Sequence, residues 1–292
     1  MISVVVTCYN YGRYVAGALE SVQNQTFSDF EVIIIDDGST DDSREKIEPF
    51  LHDKRFRYIK QENFGQAKAK NRGIVESIGE FIAFLDADDL WHRDKLEKQL
   101  ELFSDARIGV VFSRATLIDA KGESLPPPSQ GKYLQPRRGT VSNYLFLDNF
   151  IWFSSSVVRR VCLDKFGFFD ESLQMGIDWD LWLRISTRYA FDFVDEPLVS
   201  YRIGHSGQMS KNMVLRQQCS DRIMKSFLVS FPGVISKKFV KEAYYSTFCN
   251  RGQYYAKIDK RISFEYLLRA IVLKPWRLTA YVRVMKLMYY LL

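Results

Sequence analysis

Three carboxylates within four residues, Asp86, Asp88 and Asp89, directly follow the apolar run Phe81 to Leu85. Carboxylates so close at a strand end repel one another unless a cation sits between them, and hard oxygen donors select Mg²⁺ or Mn²⁺. Such a metal can grip a diphosphate. The competing reading is a helix N-terminus, with Asp88 and Asp89 capping a helix over 93–103. Asp36 and Asp37 end a second apolar run. Asp41 or Ser43 can cap the helix that follows and Gly38 serves a tight turn, which leaves Asp37 as an acceptor suited to the N–H edge of a base or to ribose hydroxyls. Thr7, Cys8, Tyr9 and Asn10 close a third run, where Tyr9 is either a stacking platform for a base or a core ring.

Such clusters need a scaffold that brings strand ends together. Strands over 2–8, 31–36, 56–60 and 81–85 alternate with helices over 15–25, 43–51, 66–77 and 93–103, the pattern of βαβ units and a mainly parallel sheet flanked by helices. Two of the runs are apolar throughout, as strands buried on both faces must be. In open parallel sheets ligands sit beyond the carboxyl ends of the strands, and the clusters stand there. The half after Ile108 is less regular: strands over 110–117 and 154–159 flank a proline-rich loop (122–132), a helix covers 179–187, a strand 191–196 and a loop 201–211. From Asn212 the pattern is helical. The expected division is a catalytic domain over 1–211, with a nucleotide-binding half (1–107) and an acceptor-side half (108–211), followed by a helical region over 212–292.

With 47% hydrophobic and 26% charged residues among 292, the chain is neither disordered nor collagen-like and can bury a sizeable core. The four cysteines form no close pair, so no zinc site or disulfide framework is suggested and a reducing compartment fits. Met1 to Thr7 reads as a strand, not a signal peptide. The most apolar segment is interrupted by Arg277, Arg283 and Lys286, too charged to cross a bilayer. Charge is uneven: twelve Lys and Arg against three acids after Ser236 leave +9 on the tail, while the remainder carries −3. A basic tail on a slightly acidic body points to an anionic surface or to a solvated helical face. On a helix over 276–292, Thr279, Arg283, Lys286 and Tyr290 share one narrow sector and the rest is apolar. This segment is expected to lie in an anionic membrane interface or to pack on its own domain or a second subunit. Cytoplasmic residence, with a peripheral place on the inner face of the cytoplasmic membrane, is the expectation; nucleic acid is not an expected partner.

In their order along the chain these motifs resemble the inverting family 2 glycosyltransferases with the GT-A fold. The resemblance is carried by residues 2–10, Gln25 to Phe27, residues 31–42, Asn63 to Gly65 with Asn71 to Gly73, residues 84–91, Gly167 to Leu173 and Asp178 to Arg184. It implies that Thr7 and Tyr9 line the nucleotide base, that Asp37 accepts from it, and that Asp86 and Asp88 form a DXD-like motif for metal and sugar nucleotide. Lys70 stands where the family often has Arg, keeping the charge but losing the planar fork. Asp178 falls in the catalytic-base position, where a carboxylate takes the proton of an acceptor hydroxyl. Its alternative role is an N-cap, and Asp180 competes with it. Where the family often has Glu before this Asp, the chain has Ile177. His205 lies where similar enzymes place a histidine near the diphosphate, which makes it a candidate third metal ligand or phosphate contact; the alternative is a solvated loop histidine. The implied activity is transfer of a sugar, from a UDP-sugar, to a saccharide or lipid-linked hydroxyl with Mn²⁺ or Mg²⁺, in polysaccharide or glycolipid assembly. The alternatives are a sugar nucleotidyltransferase, which calls for a glycine- and lysine-rich loop after the first strand, and an inactive sugar-nucleotide-binding protein.

Overall fold

A computed structural model of the chain describes residues 1–126, 135–205 and 212–289. Tyr290, Gly207 and most of the proline-rich loop lie outside these residues.

The first four strands are β1 (Ile2–Cys8), β2 (Phe30–Asp36), β3 (Phe56–Lys60) and β4 (Phe81–Asp86), all parallel to one another. Both faces of β1, β2 and β4 are covered, which is why they are largely apolar without alternation, whereas β3 at the sheet edge carries Arg57 and Lys60. Val4, Val6, Val32 and Ile34 pack in one core with Val15, Leu19 and Val22 of α1 (Gly12–Gln23). On the other face Ile33 and Ile35 pack with Ala69 of α3 (Gln66–Glu76). Helix α3 lies so close to β1 that a Cβ on Gly73 would sit 2.3 Å from Val5 Cγ1. Between these helices, α2 (Ser43–Ile47) is short.

The register sets the strand ends in line: Cys8 pairs with Asp36, Thr7 with Asp86, and Asp36 with Lys60. One rim of the sheet therefore carries the three clusters. Beyond β4 the chain makes β5 (Leu90–Trp91), α4 (Lys95–Glu101), β6 (Ile108–Ile118), β7 (Ser124–Leu125), α5 (Ser142–Leu147), β8 (Val157–Arg159), α6 (Arg160–Phe166), α7 (Ile177–Ser186), β9 (Ala190–Arg202) and α8 (Met213–Ser230). The nine strands run β3-β2-β1-β4-β8-β6-β9-β5, with β7 beside β6. The α/β class with a mainly parallel, helix-flanked sheet is thus as the sequence predicts. The strand expected over 191–196 continues to Arg202. The charged Asp195-Glu196-Pro197 step hides its continuation, and a register shift opposite Arg114 absorbs the proline.

Two compact units are present: Met1–Val141 with Phe150–Ser230, and Ser142–Asn149 with the chain from Phe231 onward. This grouping differs from a division at 211/212 in two places, because α8 packs on α7 in the first unit and α5 packs on α9 (Lys237–Tyr255) in the second. In the second unit Ser236 caps α9 and Asp259 caps α10 (Lys260–Leu273). Tyr245, Cys249 and Ala270 form a small core there with Ala280 of α11 (Leu278–Tyr289). No helix among the described residues is long and apolar enough to cross a membrane.

Candidate active site

The turn after β4 is held from three sides. Two residues of β5 pair with Val199 and Ser200 near the end of β9, which pins the acidic turn against the strand carrying Arg202. Asp89 is buried; its Oδ1 accepts from the Arg202 N–H at 2.8 Å and its Oδ2 from Ser154 Oγ at 2.5 Å. Arg202 Nε donates to the Asp88 carbonyl at 2.8 Å and its NH1 to that of Asp119 at 2.9 Å. Both of these guanidinium bonds go to backbone carbonyls. Asp88 Oδ2 lies 2.8 Å from His205 Nε2. The capping alternative for Asp88 and Asp89 does not hold: the residue preceding α4 is Asp94, and β5 intervenes.

Three carboxylates in so short a turn perturb one another. Burial first, and then the charge of Asp86, push the Asp88 carboxyl above its usual range, with His205 pulling it back. Asp89 is pushed further up by burial and both neighbours. His205 stands between the rings of Tyr11 at 5.7 Å and Tyr14 at 5.4 Å, and the Arg202 guanidinium covers Tyr14 at 4.7 Å. Burial raises the Tyr11 hydroxyl, helped by the three carboxylates, so that ring remains neutral.

Lys70 comes from α3, whose face toward the sheet buries Ala67, Ala69, Lys70 and Gly73. Its Nζ is 2.9 Å from Asp86 Oδ1 and 3.2 Å from Thr7 Oγ1, with the Phe153 ring 4.7 Å away. Lys70, Thr7 and Asp86 therefore form one cluster, and Asp88 with His205 a second. Asp86 is ion-paired with Lys70, and among the described residues no three His, Cys, Asp or Glu side chains are grouped as they would be around a metal ion.

The neighbouring loops are knitted together. Asp36, fully buried, accepts from Ser39 N–H and Tyr58 hydroxyl and is structural. Asp37 accepts at Oδ1 from Gln61 Nε2 (2.8 Å) and Phe64 N–H (3.0 Å) and at Oδ2 from Gly65 N–H (2.9 Å). Gly65 takes φ 90° to present that N–H ahead of α3, a conformation open to glycine. Tyr9 is 44% exposed, so the core-ring alternative fails.

Helix α7 starts after Gly176 in the left-handed region, with Asp178 and Asp180 in its first turn, where the helix dipole favours negative charge. Gly176 occupies the cap position, so Asp178 is not the N-cap. Asp180 is tied to Arg184 at 2.9 Å, and Arg184 NH2 also donates to the Phe168 carbonyl at 2.7 Å. The segment leading into α7 is bolted to α3: Asn71 exchanges two hydrogen bonds with the Phe169 backbone at 2.9 and 3.0 Å and binds Glu171 at 2.9 Å.

Arg202, Ser154, Asn71, Tyr11 and Tyr14 were not legible as site residues. Two had a signal: Arg202 stands three residues before His205, and Asn71 follows Lys70.

The sequence model described as Glycosyl transferase family 2 matches residues 3–167. An uncharacterized glycosyltransferase of Rickettsia felis is 34% identical over 206 residues, covering 69% of this chain and 33% of that protein. The chain spans about a third of the length of the first curated relatives it matches. Among solved structures, Staphylococcus aureus TarS 1–349 in complex with UDP-GlcNAc has a TM-score of 0.64 at 17% identity, covering 98% of this chain and 92% of that one. The mannosyltransferase PcManGT of Pyrobaculum calidifontis, in complex with GDP-Man and Mn²⁺, has a TM-score of 0.67 at 16% identity, covering 100% and 80%. Both share the fold of this chain, a GT-A sheet flanked by helices, with further helices toward the C-terminus.

Proposed function

The chain belongs to glycosyl transferase family 2, and from that premise we propose that it moves a sugar from a UDP-sugar to a hydroxyl of a saccharide or lipid-linked acceptor, with inversion and with Mn²⁺ or Mg²⁺. The observation that carries this reading is the pairing of Asp88 with His205, beside the Lys70–Asp86–Thr7 cluster on one rim. The donor set fits a divalent cation of this kind: such ions are commonly held by one or two protein side chains with substrate phosphates and water completing the shell, so a three-residue protein cage is not required. Asp88 and His205 would hold it. Once bound, it supplies neutralisation of the charge that develops on the departing diphosphate.

The remaining work belongs to the chain. Tyr9, exposed at the rim, offers a face for the base, and Asp37 Oδ2, with a single protein N–H on it, offers an acceptor for a base N–H. Lys70 keeps Asp86 and Thr7 in place and puts a positive charge beside the nucleotide. Asp178 removes the acceptor hydroxyl proton as that oxygen attacks the anomeric carbon opposite the nucleotide. Asp180, which competes for this role, is ion-paired with Arg184. The arginine-supported turn holds this constellation before substrate arrives. The setting is the assembly of polysaccharide or glycolipid, in the cytoplasm, with the second unit on the inner face of the cytoplasmic membrane.

The test is a screen of UDP-, GDP- and dTDP-sugars for protection against thermal unfolding, with and without Mn²⁺, followed by assay of nucleotide release from those that protect. Protection by UDP-sugars that deepens with Mn²⁺, and UDP release, support the proposal. Protection by none of them overturns it.

A further inference from the structure

In the second unit, α10 and α11 each bury one face and leave large apolar residues exposed on another. On α10, Ser263, Leu267 and Ala270 are buried, while Phe264, Leu268 and Val272, spaced four apart on the opposite face, are exposed. Helix α11 does the same: Ala280 and Leu287 are buried, and Leu278, Tyr281, Val282, Met285 and Met288 point outward at three- and four-residue spacing. Trp276, between the two helices, is 70% exposed. Helix α11 thus packs on its own unit with one face and leaves another apolar face exposed. Surface helices do not ordinarily turn such a stripe to water.

The charges around the stripe are mostly positive. Glu242, inside the unit, is taken up by Lys274 and Arg277, and Asp259 is used as the α10 cap. Arg261, Arg269, Lys286, Lys257 and Lys260 are all exposed, against Glu265, itself 3.8 Å from Arg261. Two copies of this face would bring like charges together, whereas an anionic surface complements them. Aromatic and methionine side chains beside Lys and Arg are the composition of a segment seated at a lipid headgroup boundary.

We propose that the outward faces of α10 and α11, with Trp276 between them, dock on an anionic lipid surface. This deepens the peripheral placement proposed above and specifies the face that makes it. It is independent of the transfer chemistry, because none of these residues belongs to the rim of the sheet.

The experiment is flotation of the full chain with vesicles of phosphatidylcholine alone or with about a third phosphatidylglycerol, at low and high salt. A Leu278→Glu/Met285→Glu variant is run beside it; both positions are exposed, so folding is spared. UDP binding of both proteins is measured alongside, so loss of the docking and loss of the catalytic reading are told apart. The expected result is flotation with anionic vesicles only, weakened by salt and lost in the variant, with UDP binding unchanged. Arg269→Gln and Lys286→Gln are each expected to lower vesicle affinity by roughly fivefold. Equal flotation with neutral vesicles, undiminished flotation of the variant, or a concentration-dependent dimer that the variant abolishes overturns the proposal.

Discussion

Asp88→Asn is expected to make the ligand-free protein more stable while leaving it blind to metal. In the folded chain Asp88 is a largely buried carboxylate close to Asp86 and Asp89, and burial together with Asp86 disfavours its charge. Burial of a charged group that is only partly compensated costs about 2–3 kcal/mol. Against this stands the contact with His205. An amide oxygen at this position still accepts from Nε2–H, so only the extra strength of a charged acceptor is lost, about 1 kcal/mol. The balance is a gain of about 1–2 kcal/mol, and for a unit of this size about 2–8 °C in melting temperature. The assay is thermal unfolding in EDTA, then with Mn²⁺ and UDP. Wild type is expected to melt below the variant in EDTA and to rise when both ligands are added, by about 2.7 kcal/mol at a hundredfold excess over Kd. A variant that melts lower than wild type in EDTA, or gains as much from Mn²⁺ and UDP, refutes the reasoning.

Asp178→Asn is expected to leave UDP affinity nearly intact while transfer falls by roughly 10²-fold or more, read as turnover against calorimetric binding; near-native turnover in this variant, with loss in Asp180→Asn, would reassign the base. Lys70→Met strips Asp86 of its partner and is expected to weaken UDP binding about tenfold, the scale of one charged hydrogen bond; unchanged affinity would show that Lys70 serves packing alone. Lys95 is fully buried, its Nζ has no hydrogen-bond partner and lies 3.9 Å from the Trp91 ring, and burial pushes its pKa well below the usual 10.5. The unfolded lysine therefore binds the proton that the folded one has lost, so stability rises with pH up to about 10.5, at up to about 1.4 kcal/mol per unit. Lys95→Met is expected to remove that slope and to be more stable at pH 7, as chemical denaturation from pH 7 to 10 would read; destabilisation at pH 7 would mean a charged lysine held by the Trp91 face.

Strands β1, β2 and β4 were legible because burial on both faces forces largely apolar runs, and the rule that ligands gather at strand carboxyl ends located Thr7, Asp37, Asp86 and Asp88 on one rim. The end of β9 was not, because Asp195, Glu196 and Pro197 interrupt the pattern just where the strand turns toward the site. Without that strand nothing local says which carboxylate of the acidic turn faces inward: Asp89 is structural because Ser154 and Arg202, 65 and 113 residues away, close on it. The pairing of Lys70 with Asp86 was hidden for a similar reason, since the two meet only through the packing of α3. Residues 142–149 join the second unit by pairing with a distant helix, and no composition shift marks them.

The proposed transfer requires that the rim bind a nucleoside diphosphate with the help of a divalent cation. Calorimetric titration of UDP into the full chain, once in EDTA and once in Mn²⁺, measures that directly. Binding at least about tenfold tighter in Mn²⁺, equivalent to about 1.4 kcal/mol, is the predicted result; equal affinity in the two buffers, or no binding in either, would contradict it.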